Sequence, residues 1–569
     1  MKKIFTLTIV ICAFALASYS QYTRHIVEFT DKKGTQFTLA NPSGYLSAKA
    51  IQRRTHQKIA IDSTDLPISK IYLDSIASVP NVTIRNQSKW FNQVLIFTSD
   101  PNAITKINSF PFVKATKEIA PIASVGSEII SKKKDETYEL GDELLSKINS
   151  PSHSAGIQDI QYGGSFNQIH IHEGEFLHNL GFTGEGITIA VLDAGFLAYK
   201  TNPAFDSMRL QGRVLGEWDY VMNEASVNED NFHGAYCLSI IASNRPGTIV
   251  GSAPHASFWL LRTEDVNSEY PVEEQNWAVA AEFADSAGAD MISTSLGYNL
   301  FDNPIYNHTY PERDGNTSII TRAADHAAHK GMIVTCSAGN DGSRTDDYKF
   351  VSCPSDADSV LSVGAVNGTG TIAAFSCWGP NGAGKVKPNV VSVGQGTILA
   401  NTAGNPVGGN GTSYSNPNMA GLVACLWGAF PDFTNMEVID AIQRSADRFM
   451  NPDVRYGYGI PNFRIAYEIL LKERQRRKYE SVLGNDWIKP YPVPFTSNFT
   501  LLIKSSIDGK ASIQLSDAMG RQIERKTIEL SPDHYYLVNF ANGPVLAKGV
   551  YFIRYNDGKN KKTVRVIKQ

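Results

Sequence analysis

One stretch of sequence decides the fold, Gly408-Gly409-Asn410-Gly411-Thr412-Ser413-Tyr414-Ser415-Asn416-Pro417-Asn418-Met419-Ala420-Gly421. Its glycines allow close backbone approaches that a β-carbon would prevent. An apolar run then begins at Leu422 and predicts a buried helix with Pro417 near its start. Ser413 would lie where a glycine-rich turn enters this helix, beside N–H groups that have no intrahelical acceptor. That position can stabilise an oxyanion, although a serine that only caps a buried helix explains the local pattern equally well.

Length and composition describe a globular protein of several domains. The chain has 569 residues, of which 42% are hydrophobic and 19% charged, with a formal net charge of −3. At roughly 100–200 residues per domain, this length predicts two to four domains. There is no bulk basic excess, so no nucleic acid partner is expected.

The first residues are typical of an export signal. Lys2 and Lys3 precede an apolar segment over residues 4–17, followed by small residues. This pattern predicts a secretory signal peptide over residues 1–20, cut after Ala17 or Ser20. No later apolar run approaches the ~20 residues that a membrane helix needs, so no membrane span is expected.

Five cysteines remain once Cys12 leaves with the signal, namely Cys237, Cys336, Cys353, Cys377 and Cys425. An odd number in an exported protein means that at least one stays free or pairs between chains. We expect Cys237 and Cys425 to be free and buried, because both lie in apolar helical patterns. Pairing among the other three is left open, and no CxxC spacing suggests zinc.

Patterning divides the rest of the chain. Residues 22–125 alternate strand and helix patterns, which predicts a small α+β module with split βαβ topology. Residues 126–157 combine low hydrophobicity with mixed charge and predict an exposed, cleavable linker. Residues 158–471 alternate buried-strand runs with helical patterns, which predicts a doubly wound α/β domain around a parallel sheet.

Two further segments follow this domain. Residues 472–484 are predicted to be a linker, and their basic run, 472–478, is better explained as a solvated helix end than as a binding patch. Residues 485–569 are rich in strand patterns and turn signals, which predicts a small β-sandwich.

Four polar residues form a constellation. Asp193 ends the buried run 187–192, His233 begins a helical apolar pattern, and Asn340 follows the strand pattern 332–336. A carboxylate at the tip of a buried strand favours a functional role for Asp193, with an aspartate that only opens a turn as the alternative, whereas His233 alone is more often structural and Asn340 alone is uninformative. Together with Ser413, however, they supply the nucleophile, the base, the orienting carboxylate and an oxyanion donor that acyl transfer requires. Their order along the chain excludes the α/β-hydrolase and chymotrypsin arrangements.

These motifs resemble those of the subtilisin-like serine peptidases, the subtilases. The resemblance rests on Gly411-Thr412-Ser413 with Pro417, Asp193-Ala194-Gly195, His233-Gly234 and Ala338-Gly339-Asn340. It covers about 300 residues, with supporting matches at Thr183-Gly184-Glu185-Gly186, Gly251-Ser252-Ala253-Pro254, Ser295-Leu296-Gly297-Tyr298, Val363-Gly364-Ala365-Val366, Phe375-Ser376 and Gly379-Pro380. The chain departs from the usual pattern at Ala194 and Ala235, and neither departure removes a catalytic atom.

The resemblance implies a role for each residue. Ser413 would be the nucleophile, His233 the general acid and base, and Asp193 the orienting carboxylate. The Asn340 amide and the Ser413 N–H would form the oxyanion hole. Ser295, Leu296 and Gly297 would pair with substrate backbone, and Ser337, Ala338 and Gly339 would form one wall of the S1 pocket. Cys237 occupies the place of a buried cysteine that one branch of the family keeps beneath the histidine.

The flanking segments resemble other known modules. Residues 22–125 resemble the propeptide that chaperones and inhibits bacterial subtilases, with its last strand over residues 112–119. The C-terminal segment resembles the type IX secretion sorting domain of Bacteroidetes, through Tyr491-Pro492-Val493-Pro494-Phe495, Asp517-Ala518-Met519-Gly520-Arg521, Gly549-Val550-Tyr551-Phe552-Ile553-Arg554 and a lysine-rich end. The implied partners are polypeptide substrates, the chain's own propeptide and the secretion machinery.

A cluster of His170, His172, Glu173 and His178 suggests a metal site, but no fourth ligand has diagnostic spacing. A structural or surface role is the better interpretation, and no metal site is assigned. Catalysis is expected to need no cofactor. The family resemblance allows a structural calcium ion without locating it.

The sequence therefore predicts a secreted or surface-attached serine endopeptidase that is made as a zymogen and acts through an acyl-enzyme. The alternative is an inactive subtilase scaffold that serves as a surface binding protein. Neither the cleavage preference, the physiological substrate nor the propeptide cleavage site can be derived from these patterns.

Overall fold

A computed structural model describes residues 23–121, 136–138, 160–541 and 545–569. The chain forms two compact units, Met1–Ala466 and Tyr467–Gln569. The predicted signal peptide and most of the predicted linker, residues 126–157, lie outside the described residues.

Residues 23–121, here called the N-terminal module, form an antiparallel sheet covered by helices. Its strand order is β2-β3-β1-β4, which is the predicted split βαβ topology. The Ser47 side chain caps helix α1 by accepting a hydrogen bond from the Ala50 N–H at 3.2 Å. The elements are β1 Thr23–Phe29, α1 Ala48–Gln57, α2 Lys70–Ala77, β2 Val82–Ser88, β3 Gln93–Thr98, α3 Pro101–Asn108 and β4 Val113–Pro121.

Residues 160–466, here called the main domain, are organised around one sheet that also takes in the short strand β5. The strand order is β5-β15-β14-β13-β12-β11-β6-β10-β7. The seven strands from β14 to β7 are parallel, whereas β15 and β5 are antiparallel to their neighbours. The strands are β5 Glu136–Tyr138, β6 Thr188–Asp193, β7 Val214–Asp219, β8 Asn244–Arg245, β9 Ile249–Val250, β10 Ser257–Arg262, β11 Met291–Thr294, β12 Ile333–Ser337, β13 Leu361–Asn367, β14 Val390–Ala400 and β15 Pro406–Asn410.

Helices connect these strands. They are α4 Phe166–His170, α5 Glu175–Asn179, α6 Asp206–Leu210, α7 His233–Ala242, α8 Val272–Ala287, α9 Ile319–His329, α10 Thr412–Ala429, α11 Asn435–Arg444 and α12 Phe463–Leu483. Short 3-10 turns lie at Pro42–Gly44, Pro203–Phe205, Pro304–Tyr306, Tyr310–Glu312 and Asp347–Lys349. The predicted doubly wound α/β fold is thereby confirmed.

The core explains why these elements form. Helices α8 and α9 pack around Trp277 against the inner residues of β6, β11 and β12. The Trp277 indole N–H donates to the Thr294 hydroxyl at 3.0 Å, so this buried ring also satisfies its polar atom. Helix α10 is buried at every residue except Gly428. A helix buried all round belongs inside a large domain, as the quoted stretch predicts.

Two details differ from the sequence-based expectations. Pro417 lies inside α10, one full turn after its first residues, and not in the first turn. The predicted linker, residues 472–484, is almost entirely helical: its basic run lies in a helix, as interpreted from the sequence, but helix α12 continues beyond that run to Leu483. Arg476 pairs there with Glu473 and Glu480 at helical spacing, which stabilises an exposed helix.

The C-terminal unit contains two antiparallel sheets, ordered β16-β17-β20 and β19-β18-β21-β22. Its core draws on both sheets, for example Leu501 and Phe540 from one and Ile513 and Ile553 from the other, and the predicted sandwich is confirmed. The strands are β16 Ile488–Tyr491, β17 Phe499–Lys504, β18 Gly509–Asp517, β19 Gln522–Leu530, β20 Tyr535–Phe540, β21 Gly549–Asn556 and β22 Lys561–Lys568. Within the described ranges, no helix has the length and apolar character to cross a membrane.

Two buried histidines hold the start of the main domain against its interior. His172 bonds through Nδ1 to the Pro461 carbonyl and through Nε2 to the Ser392 hydroxyl, both at 2.9 Å. The His178 ring contacts the Tyr162 hydroxyl at 2.7 Å and the Ser252 carbonyl at 3.0 Å. Burial lowers the pKa of each imidazole to about 4, so both are neutral near neutral pH.

This burial predicts a loss of stability in mild acid. In the unfolded chain both histidines take up protons below about pH 6.5, whereas in the folded chain they do so only near pH 4. The free energy of unfolding should therefore fall as the pH drops from 6.5 towards 4, on the order of a few kcal/mol for the pair. Calorimetric melting temperatures across pH 4–8 would measure this loss. The double variant His172→Asn, His178→Asn should show a shallower slope, and the exposed-site control His329→Asn should not. An unchanged slope in the double variant would contradict the assignment.

Candidate active site

The candidate residues converge at one edge of the parallel sheet. Strands β6, β11 and β12 are neighbours and run parallel, so their carboxyl ends meet. Asp193 is the last residue of β6, Ser295 follows β11, and Asn340 follows β12. The chain also passes here from β10 on one side of β6 to β11 on the other, which is the switch point where α/β sheets bind ligands.

Asp193 and His233 form a buried pair. The Asp193 Oδ1 lies 2.6 Å from the His233 Nδ1, and both side chains are shielded from solvent. The same oxygen accepts the Ala194 N–H at 2.7 Å. The pair depends on Gly234, because a β-carbon there would lie 2.5 Å from the Gly195 carbonyl and 2.8 Å from the Asp193 Cβ. Helix α7 can therefore begin directly against the end of β6.

Ser413 is the second residue of α10. Its hydroxyl donates to the Ser295 carbonyl at 3.2 Å. Its own carbonyl would ordinarily accept the N–H of the residue four positions on, but that residue is Pro417, which has none. The carbonyl instead accepts the Ser295 hydroxyl at 2.9 Å and the Cys237 thiol at 3.3 Å. Proline inside this helix thus frees an acceptor that ties Ser413 to two neighbouring elements.

Cys237 links Ser413 to the histidine. It lies one turn after His233 on α7, and its Sγ is 3.9 Å from Nδ1 and 4.0 Å from Nε2 of the imidazole. Burial raises the pKa of the Cys237 thiol, which keeps it protonated and able to donate to the Ser413 carbonyl. The Cys237 thiol therefore contacts both His233 and Ser413 and helps to fix their relative positions.

Asn340 is oriented by the start of the same helix. Its Oδ1 accepts the Thr412 N–H at 2.8 Å and the Thr412 hydroxyl at 2.9 Å. The Thr412 hydroxyl in turn accepts the Gly339 N–H at 3.1 Å. With the carboxamide oxygen held in this way, the NH₂ group is the end of Asn340 that can donate elsewhere.

The predicted substrate-binding segments lie on either side of Ser352. A β-carbon at Gly297 would lie 2.3 Å from the Ser352 hydroxyl, and one at Gly339 would lie 3.2 Å from it. Gly339 also has φ +106° and would place its β-carbon 2.9 Å from the Cys377 sulfur. The left-handed backbone and close packing favour glycine at Gly339, whereas a β-carbon at Gly297 would displace the Ser352 side chain.

Several supporting residues escaped sequence analysis. The Thr412 hydroxyl, the Ser352 hydroxyl and the Cys377 sulfur all contact predicted site segments, and the Cys377 sulfur accepts the Asp341 N–H at 3.3 Å. Thr412 directly precedes the candidate nucleophile Ser413, and this position is the one feature of the sequence that could have indicated its role. Cys237, Cys336, Cys353 and Cys425 are free and buried, as expected for Cys237 and Cys425.

The histidine cluster does not gather into one site. His170 pairs with Glu175 at 2.6 Å, Glu173 pairs with Arg464, and His172 and His178 point to the separate buried partners already given. Among the residues that the structure describes, one group brings three metal-ligand atoms together, Asp193, His233 and Cys237, within 4.8 Å. These are residues of the candidate active site, and the calcium ion allowed by the resemblance is not located by them.

Comparison with known proteins identifies relatives for three segments. Residues 184–459 match the sequence model of the subtilase family, residues 24–136 match the peptidase S8 propeptide domain of Bacteroidota, and residues 489–569 match the secretion system C-terminal sorting domain.

Individual relatives agree with these matches. Subtilisin E of Bacillus subtilis (strain 168) is 30% identical over 313 residues, which cover 54% of this chain and 71% of the relative. Serine protease AprX of the same organism is 27% identical over 312 residues, which cover 49% of this chain and 66% of the relative. The thermophilic serine proteinase of Bacillus sp. (strain AK1) is 30% identical over 276 residues, which cover 48% of this chain and 60% of the relative.

The bonds around Thr412 predict a graded effect on turnover. Thr412→Ala removes the hydroxyl that bridges Gly339 and Asn340 but keeps the backbone N–H bond to Asn340. We expect kcat for a small peptide substrate to fall roughly two- to tenfold with little change in KM, in line with about 0.5–1.5 kcal/mol for one hydrogen bond. Thr412→Ser is the matched control and should retain activity. Equal kinetics in the alanine and serine variants would contradict this role.

Proposed function

The chain belongs to the subtilase family of serine endopeptidases, and on that premise we propose that it hydrolyses peptide bonds through Asp193, His233 and Ser413. The observation that carries the proposal is the buried Asp193–His233 pair at 2.6 Å, which the Cys237 thiol connects to the Ser413 carbonyl. The C-terminal sorting domain marks a protein that is secreted or attached to the cell surface, and we propose the secretion machinery as its partner.

The proposed chemistry follows from the polarity of this pair. An Nδ1–H that donates to Asp193 leaves the His233 Nε2 as the basic atom. Once its hydroxyl turns from the Ser295 carbonyl to this nitrogen, Ser413 can attack the substrate carbonyl carbon while His233 takes the proton. The proton then passes to the leaving amine, and water hydrolyses the acyl-enzyme by the reverse route. No cofactor enters these steps.

The negative charge of the tetrahedral intermediate needs fixed donors. We assign this role to the Asn340 NH₂ group and the Ser413 N–H. The first is oriented by Thr412, and the second lies in the first turn of α10, where a helix has no internal acceptor. The positive end of the buried helix adds to the same effect.

Substrate recognition would use backbone pairing. Ser295, Leu296 and Gly297 follow a sheet strand, and the exposed Gly297 leaves room for an extended peptide beside it. Ser337, Ala338 and Gly339 follow the neighbouring strand and would bound the S1 pocket. Recognition through main-chain bonds is tolerant of side chains, which suits an endopeptidase that acts on varied polypeptides.

Substitution at the nucleophile separates the proposal from an inactive scaffold. Ser413→Ala should abolish peptide hydrolysis and labelling by a fluorophosphonate without unfolding the protein, because only a hydroxyl is removed. Asn340→Ala should lower kcat by about 10²–10³, the magnitude known for an oxyanion-hole asparagine of a subtilisin. If the natural chain is folded but neither labels nor hydrolyses peptides, it is a binding scaffold instead.

The N-terminal module packs on the main domain through buried charges at the end of α8. Arg53 pairs with Asp285 and donates to the carbonyls of Lys330 and Asp285 at 3.1 Å each, and also to that of Ala289. A guanidinium that satisfies carbonyls after a helix also complements the negative end of its dipole.

The same network continues on both sides of the interface. Arg54 bridges Asp65 of the module and Asp285 of the main domain at 2.7 Å each. Lys330 of the main domain pairs with the module's Asp65 at 3.0 Å. About one turn before Asp285 on α8, Glu282 accepts the N–H groups of Lys89 at 2.6 Å and Trp90 at 3.2 Å. We propose that the N-terminal module is an intramolecular inhibitor. Ion pairs hold it on the main domain, and Asp285 and Lys330 would lose these partners if the module dissociated.

The buried pairs predict which substitution weakens inhibition. Asp285→Asn removes the negative charge shared by Arg53 and Arg54, and breaking a buried pair costs about 3–5 kcal/mol. Inhibition of the mature enzyme by added residues 22–125 should weaken roughly 10²–10³-fold, measured as Ki with a small peptide substrate. Asp206→Asn breaks an exposed pair away from the module and should leave Ki unchanged. An equal Ki in both variants would contradict the role of this network.

A further inference from the structure

Ser352 lies between the two segments to which substrate binding is assigned. Its hydroxyl would be 2.3 Å from a β-carbon at Gly297 and 3.2 Å from one at Gly339, so one oxygen atom occupies the space in front of both glycines. Gly297 is exposed to solvent, whereas Ser352 is only 4% exposed. The Ser352 hydroxyl therefore lies at the bottom of the gap between the two segments.

The backbone at Ser352 is bonded to both sides of this gap. The Ser352 N–H donates to the Ala338 carbonyl at 3.2 Å. On the other side, the Tyr298 N–H donates to the Cys353 carbonyl at 2.9 Å, and the Cys353 N–H donates to the Tyr298 carbonyl at 3.3 Å. Because Ala338 belongs to one segment and Tyr298 directly follows the other, residues 352 and 353 connect the two.

A buried guanidinium fixes the residues just before Ser352. Arg313 is fully buried and donates to the carbonyls of Phe350 at 2.9 Å and Val351 at 3.1 Å. The Val351 N–H donates to the Trp378 carbonyl at 2.9 Å. Ser352 therefore cannot move aside for a substrate side chain without breaking buried hydrogen bonds, which is costly.

The Ser352 hydroxyl is the polar group that this packing does not satisfy. Among the residues that the structure describes, it has no hydrogen-bond partner. Its neighbours Ala338 and Val351 pack with Cys377 in an apolar cluster, which supplies no side-chain oxygen or nitrogen. A buried hydroxyl without a partner is unfavourable, and a ligand that supplies one recovers that free energy.

The gap adjoins the nucleophile. The Ser295 carbonyl, at the start of one segment, accepts the Ser413 hydroxyl at 3.2 Å. The Gly339 N–H, at the end of the other segment, donates to the hydroxyl of Thr412, which directly precedes Ser413. A peptide that pairs with the first segment would therefore direct into this gap the side chain of the residue whose carbonyl carbon is attacked.

We propose that the Ser352 hydroxyl selects the residue on the acyl side of the cut bond, favouring a short side chain that can hydrogen-bond to it, such as that of asparagine. This inference rests on the proposed function and adds to it a class of substrate. The Ser352 side chain closes the gap to long side chains. It also disfavours apolar ones, because they leave the hydroxyl unpaired.

Three peptides separate size from polarity. They are internally quenched substrates that differ only in having asparagine, leucine or phenylalanine before the cut bond, which mass spectrometry identifies. Asparagine and leucine side chains have equal numbers of non-hydrogen atoms, so their comparison isolates hydrogen bonding. For the natural mature enzyme, kcat/KM should be about tenfold higher for asparagine than for leucine, and about tenfold higher for leucine than for phenylalanine. The reverse order in either pair would overturn the proposal.

Two substitutions at Ser352 change these ratios separately. Ser352→Ala removes the oxygen and keeps the β-carbon, so the ratio of asparagine to leucine should fall towards one. Ser352→Gly removes the whole side chain, so the ratio of phenylalanine to leucine should rise about tenfold. Either ratio unchanged in its own variant would overturn the proposal.

Ser445→Ala is the matched control. Ser445 is 5% exposed, and its hydroxyl donates to the Ile442 carbonyl at 2.8 Å at the end of α11. Its substitution removes a hydroxyl from an equally buried serine outside the gap, so both ratios should stay as in the natural enzyme. A change of either ratio in this control would show that the effects are not specific to Ser352 and would count against the proposal.

Failure of the proposed function would look different. Each enzyme is titrated with a fluorophosphonate, so that kcat refers only to folded active sites. Labelled enzyme that keeps the natural ratios in both Ser352 variants refutes only the role of Ser352. Folded natural protein that neither labels nor cleaves any of the three peptides refutes the proposed function itself. If Ser352→Gly does not fold, Ser352→Ala keeps the β-carbon and still tests the hydrogen bond.

Discussion

The site depends on the start of one helix that is buried at nearly every residue. A helix that begins inside a domain has N–H and carbonyl groups that water cannot satisfy, so neighbouring elements must supply their partners. At α10 the Thr412 N–H goes to Asn340, and the Ser413 carbonyl goes to Ser295 and Cys237. Ser295 and Asn340 follow two neighbouring strands and Cys237 lies on α7, so satisfying the helix also assembles the site.

Pro417 removes a hydrogen bond from α10, and the loss of that bond fixes the position of Ser413. A proline in a helix interior removes a hydrogen bond and is ordinarily destabilising by about 3 kcal/mol or more. Here the carbonyl that it leaves without a helical partner belongs to Ser413, and two side chains take its place. The serine is therefore held by neighbouring elements as well as by its own helix. The same principle applies at the C-terminal end of α8. There Arg53 donates to carbonyl groups that have no hydrogen-bond donor within the helix.

Much of this could be predicted from sequence because the signals are local. A buried run that ends in a carboxylate, as at Asp193, predicts both the strand and the edge at which it ends, and parallel topology then brings Asn340 near. Contacts between distant segments carry no such signal. Nothing near Arg53 indicates Asp285, since 232 residues separate them. The segment 472–484 was predicted to be a linker whose basic run is a solvated helix end, and the helix in fact continues to Leu483 because acid–base pairs at helical spacing stabilise it without an apolar stripe.

Strand β5 was not predicted from the sequence, because it joins the sheet through main-chain groups alone. A strand that binds a sheet edge through main-chain groups needs no particular side chains, so neither Glu136–Tyr138 nor the glycines of β15 carry a pairing pattern. Gly409 cannot even carry a side chain, because a β-carbon there would lie 2.7 Å from the Tyr414 ring. The β15 edge, with Gly408 and Gly409, pairs with its neighbour through backbone groups. The property that hides β5 from sequence analysis is therefore that pairing through main-chain groups places no requirement on its side chains.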